Sequence, residues 1–171
     1  MIDSIMVLVS VPRKKFTEIY YDARNLSLGT SIITPDSKTF DQMKSGNGFR
    51  LIKNQDISNK IAAYYQWKNR FNYYSNIQLQ RLEDVLNVND QIFDAVTFFN
   101  IFKQVNTGKN SDEVLSGIDA KLLSNDPKVI NKVLMKYQYY YGNLTLLNKR
   151  IFHASNEAKQ LLTLIKEKYL Q

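Results

Sequence analysis

The sequence predicts an all-α protein: an antiparallel helical bundle with a long C-terminal helix and short N-terminal helices packed across it. Three observations carry this. Only 6 Gly and 3 Pro interrupt 171 residues, of which 44% are hydrophobic and 12% aromatic. Apolar residues recur at three and four residue steps through the two longest proline-free stretches, 55–87 and 127–168. No strand pair, internal repeat or low-complexity tract stands out. A chain of 171 residues fits a single domain over 1–171 and buries a core without staples, of which disulfides are excluded by the count of 0 Cys.

The elements follow in order. Ile2 to Val11 is a short apolar run closed by Pro12, and Arg13 to Leu26 reads as a helix with Phe16, Ile19 and Tyr20 at helical spacing. Ser27 to Thr34 is loop-like. Thr34-Pro35-Asp36 then has the chemistry of a helix start, for a helix carrying Phe40 and Met43 that Gly46 and Gly48 end. Asn54 or Asp56 caps a long helix to about Asn87, with the stripe Ile57, Ile61, Tyr64, Phe71, Leu79, Leu82 and Leu86. Asp90 caps the next, where Ile92, Phe93, Val96, Phe98, Phe99, Phe102 and Val105 leave little polar face, so Phe99 and Phe102 are expected to be buried.

Asn106-Thr107-Gly108 stops that helix, and Ser111 to Ser124 connects to a start at Asp126-Pro127. The last helix repeats Ile130, Leu134, Tyr137, Tyr141, Leu144, Ile151, Ala154, Ala158, Leu161 and Ile165. Unbroken, it would span roughly 60 Å at about 1.5 Å per residue, with Gly142 as the place for a bend.

The formal charge is +7, and Lys38 to Arg81 holds eight basic residues against Asp41 and Asp56, so an anion-binding face should involve that segment. The absence of Cys removes thiolate nucleophiles and Cys-based zinc sites. No stretch approaches the roughly 18 to 20 uncharged apolar residues of a membrane span, and no basic segment precedes the opening apolar run.

Motifs that carry chemistry are tested and fail on mechanism. His153 and Glu157 stand one helical turn apart, but no second His or nearby Asp completes a metal set or a triad, and the pair reads as a solvated helix pair. Asn106-Thr107-Gly108-Lys109 lacks the earlier Gly of a phosphate loop, where Lys103 stands, and the following Ser or Thr, where Asn110 stands. Gly46-Asn47-Gly48 lacks a third glycine. Glu83-Asp84 and Asp112-Glu113 are adjacent pairs whose side chains diverge by about 100° on a helix. No catalytic residue, metal or cofactor is therefore assigned.

The candidate binding feature is a strip on the middle helix, where Trp67, Arg70, Tyr74 and Arg81 lie together with Lys60 close by. Aromatic rings interleaved with guanidinium groups suit an anionic partner or a partner helix. The structural alternative has Trp67 and Tyr74 edging the core with the arginines laid over them. Among the later tyrosines, Tyr137 and Tyr141 share a face and are expected in the core, leaving Tyr139 and Tyr140 as surface anchors.

The run from Thr39 through Phe40, Met43, Lys44-Ser45-Gly46, Leu51-Ile52 and Asn54 to Ile57, Ile61 and Tyr64-Tyr65 resembles an uncharacterised bacterial family of membrane-anchored proteins. Leu122-Leu123-Ser124-Asn125-Asp126-Pro127, Asn131, Leu134 and the final helix are similar to it too. Such proteins have one N-terminal transmembrane helix and a helical C-terminal domain of unknown function. The resemblance implies that this domain is the soluble portion of a longer tethered protein, extracytoplasmic (periplasmic) by the positive-inside rule, or cytoplasmic if Met1 is the native start. In the turn itself, Gly46 is expected to take the left-handed conformation, Gly48 to let the chain reverse, and Phe49, Leu51 and Ile52 to pin it into the core.

The resulting expectation is a non-enzymatic ligand-sensing or protein-interaction domain that binds another protein or itself. The alternative is a cytosolic nucleic-acid-binding module using residues 38–81.

Overall fold

The computed structural model describes residues 16–28, 36–106 and 118–169. The elements are α1 (Phe16–Leu28), α2 (Lys38–Ser45), a short 3₁₀ turn (Gly48–Leu51), α3 (Gln55–Tyr65), α4 (Trp67–Asn89), α5 (Ala95–Asn106) and α6 (Pro127–Tyr169). The protein is all-α. The described residues hold a single isolated β-bridge, between Phe93 and Leu122. Among them, no helix is long and apolar enough to cross a membrane. The expectations for Ile2–Val11, for Thr34-Pro35, for Thr107-Gly108 and for residues 111–117 of the Ser111 to Ser124 connection lie outside the described residues.

The contacts fall into two compact units. The first comprises α1, residues Gln78–Asn143 and hence α5, the end of α4 and the start of α6; the second comprises α2, α3, the start of α4 and the rest of α6. In each unit α4 and α6 run antiparallel. In the first, Tyr137 Oη donates to Asn89 Oδ1 at 2.9 Å and Asn143 Nδ2 to Gln78 Oε1 at 2.6 Å. In the second, Trp67 on α4 meets Glu157 on α6, and Tyr74 lies under the Arg150 guanidinium at 5.9 Å.

In the first unit Tyr20 joins three segments. Its hydroxyl donates to Lys121 O at 2.8 Å and accepts the Asp94 N–H at 2.5 Å, while its ring packs edge-on against Phe93 and Phe98. Burial pushes the Tyr20 hydroxyl above its ordinary range, against the lowering effect of the Asp94 N–H. Thr17 Oγ1 donates to Ile118 O at 2.8 Å, so α1 is stitched to the segment before α6 as well as packed on α5.

Several helix limits differ from the sequence reading. Asn54 caps α3, accepting the Ile57 N–H at 3.2 Å, but the long middle helix is two helices meeting at Gln66, whose N–H turns to Ala63 and Tyr64 in a tighter turn. The helix expected from Asp90 starts at Ala95, because residues 90–93 form a turn that buries Ile92 and Phe93, and Asp94 provides the cap instead. The turn after α2 places Asn47, not Gly46, in the left-handed region, at φ 56, while Gly46 has φ −89. Asn tolerates that conformation through its short polar side chain. Gly48 is needed for a different reason: a Cβ there would sit 3.2 Å from Met43 Cα. Leu51, expected to pin the turn, is 83% exposed.

Candidate functional site

Four of the five strip residues fall in the second unit. At the start of α4, Trp67 is 5% exposed and shares a core with Phe71, Leu147 and Ala154, with Tyr64, Tyr74 and Ile151 packed against it. The Arg70 guanidinium lies 4.9 Å from the Trp67 ring centroid and makes no ion pair among the described residues. Tyr74 is half-buried. On α3, Lys60 bridges Asp56 at 2.7 Å, with both side chains more than half exposed. Arg81 belongs to the other unit, where it meets Asp84 at 3.2 Å and overlies Tyr139 at 5.4 Å; Lys136 bonds the same Asp84 oxygen at 3.3 Å. Of the strip, then, only Arg70 offers a cation with no carboxylate, and the aromatic faces are turned largely into the core.

His153 and Glu157 form the one-turn pair expected, with Nδ1 and Oε1 3.3 Å apart. What the sequence does not show is the third member: Trp67 Nε1 donates to Glu157 Oε2 at 2.5 Å, across 90 positions of chain, and the imidazole lies 5.7 Å from the indole. Only the packing of α4 on α6 could reveal that contact. Glu157 also lines a cleft of about 650 Å³ between α3 and α6, together with Lys60, Tyr64, Leu161, Leu164 and Glu167. Among the described residues no group of three or more His, Asp or Glu side chains converges as a metal site would require.

The first unit carries a second concavity. A groove of about 620 Å³ between α1, the end of α4 and α5 is walled by Leu86, Phe93, Phe98, Phe99 and Phe102, with Arg24 and Asp90 bringing opposite charges. The Arg24 guanidinium sits 4.6 Å from the Phe102 ring. Phe99 is 63% exposed and Phe102 is half-buried, which corrects the expectation that both lie in the core. The reason is geometric. A helix apolar all round needs neighbours all round, and among the described residues α5 buries mainly the face that carries Ile101 against α1.

Three further groups are displaced from their ordinary ranges. Asp94 is held low chiefly by the Thr97 backbone N–H, and Asp41 by the Ser37 hydroxyl, with Lys68 adding to it. The Tyr137 hydroxyl is pushed well up by burial, beside Asn89.

No protein-family profile, curated protein or solved structure matches the chain. The site must accordingly be read from its own geometry, and the aromatic groove of the first unit is the surface with the clearest binding chemistry.

Proposed function

We propose that this is a non-enzymatic helical protein-interaction domain whose first-unit groove takes an amphipathic helical segment of a partner protein. The carrying observation is Phe99, a large apolar side chain 63% exposed at the edge of a groove walled by three further phenylalanines. Contiguous exposed apolar surface is costly in water and marks interaction sites, and such grooves accept side chains spaced three and four residues apart on a helix. Arg24 and Asp90 supply opposite charges that orient such a segment. The resemblance to membrane-anchored proteins adds a second layer to this reading, a tethered and extracytoplasmic domain, which sequence upstream of Met1 would test.

The interaction is tested by selecting helical peptides from a displayed library on the full chain, then titrating the selected peptide against Phe99→Asp. Loss of binding with an unchanged thermal melt supports the groove, since Phe99 contributes little to the core. Equal binding by the variant overturns it. A parallel titration with single-stranded DNA addresses the nucleic-acid reading, which rests on the basic segment 38–81, Arg70 included, and the +7 charge. Tight binding that falls steeply with salt and is lost in Arg70→Gln would put nucleic acid in place of a protein partner.

A further inference from the structure

The groove of the first unit runs along α5, and its charges are sorted by end. Asp90 lines it before the helix begins, where Asp94 caps the first turn. Lys103 stands in the last turn, and the Arg24 guanidinium covers Phe102 at 4.6 Å. From Ala95 to Phe102 the two ends are roughly 10 Å apart, at the helical rise of about 1.5 Å per residue. Between them α5 turns Val96 and Phe99 outward, 65% and 63% exposed, while Ile101 is buried. The surface is therefore apolar in the middle, acidic at one end and basic at the other.

That order of charges defines the helix the groove accepts. The occupant needs apolar side chains three or four residues apart, a basic end to lie over Asp90 and Asp94, and an acidic end to lie over Arg24 and Lys103. α5 has these properties itself. Val96, Phe99 and Phe102 follow at steps of three, acidic side chains stand at its start and basic ones at its end. Laid antiparallel on a second copy, each acidic end meets a basic end and the two helix dipoles oppose. Laid parallel, like charges would face each other. A surface that complements its own reverse is what a two-fold interface requires, since each residue contact then occurs twice.

We propose that the partner of the groove is a second copy of this chain, the two α5 helices packing antiparallel about a two-fold axis near Phe99. This rests on the reading of the groove as a helix-binding surface and names its occupant. Phe99 lies midway between the charged ends, so each copy places it in the middle of the other's groove. The small Ala95, which lines the groove near its acidic end, falls opposite the second copy's Phe102.

Sedimentation equilibrium of the full chain at micromolar concentrations should show a wild-type dimer, with a dissociation constant raised about tenfold or more in Phe99→Asp. Charge exchange then tests the pairing. Asp90 and Lys103 are both exposed, so Asp90→Lys and Lys103→Glu keep the fold, as thermal melts check. Each variant alone should associate more weakly than wild type, and an equal mixture should recover wild-type association, because in the mixed dimer both ends again meet opposite charges. Charges that met only within one chain would gain nothing from mixing. A wild type that stays monomeric, an unchanged constant in Phe99→Asp, or no gain on mixing would each overturn the second-copy inference. The groove reading falls separately, when the selected helical peptide binds Phe99→Asp as well as wild type. A monomeric chain that still takes the peptide through Phe99 keeps the groove and gives it to another protein.

Discussion

Asp94 decides where a helix begins. Its Oδ2 accepts both the Thr97 backbone N–H at 2.7 Å and the Thr97 hydroxyl at 2.9 Å, satisfying one of the open donors of the first turn of α5. Asp90, four positions earlier, has the same chemistry, but Ile92 and Phe93 are drawn into the core before the helix can form. The carboxyl of Asp94 is held below its ordinary range by those bonds, so its contribution to stability is present above the ordinary carboxylate pKa and lost as pH falls through its lowered value. Thermal melts of the wild type and Asp94→Ala should therefore differ clearly at neutral pH and converge in acid. Tyr140 and Tyr141 make a similar point. The sequence reading puts Tyr141 inside and Tyr140 outside, whereas Tyr140 is 3% exposed and Tyr141 47%.

At the scale of elements, that exchange has a cause. Val133, Tyr140, Leu147 and Ala154 are buried at intervals of seven, with Ile130 buried just before them and Leu134 and Tyr137 between Val133 and Tyr140. This is the 3.5-residue seam of a helix paired with another helix, not the broader stripe of a helix on a surface. The partner helix shows the same spacing: Phe71, Ser75, Gln78, Leu82, Val85 and Asn89 are buried on α4, while Leu79 and Leu86 are turned out. Three of those buried positions are polar, so apolar periodicity alone picks the wrong leucines. In α6 the helix runs through Gly142 without interruption, and a Cβ there would meet nothing within 4 Å. Gly142→Ala should stabilise the protein by roughly 0.5–1 kcal/mol, through the unfolded chain's lost freedom and the better helix propensity of alanine. A fall in Tm would indicate that the glycine serves a bend.

For the whole molecule, α4 and α6 each contribute one stretch to each unit, so the units are linked through continuous helix. Tyr137→Phe tests this coupling. It removes the donor to Asn89 Oδ1 in a buried pair and should cost about 1–3 kcal/mol. The loss should register equally in far-UV circular dichroism and in the emission of Trp67, which reports the second unit. Separate transitions would show that the units unfold independently.

The sequence by itself determines the helical class, the extent of α6, a capped helix start at Asn54 or Asp56 and the closeness of His153 to Glu157, because each rests on spacing within a few turns of one chain segment. It also suggests a basic and aromatic strip, whose residues the structure divides between the two units. The tertiary structure decides which face of each helix is inside, since a seam shared by two helices tolerates Ser75, Gln78 and Asn89 when their partners lie opposite or when a position is simply enclosed. It decides that Trp67 is a core residue held by Glu157 and that Phe99 stands outside. Both outcomes depend on contacts between segments far apart in sequence, and hydrophobicity, which has no direction along the chain, does not specify the neighbour that will cover it.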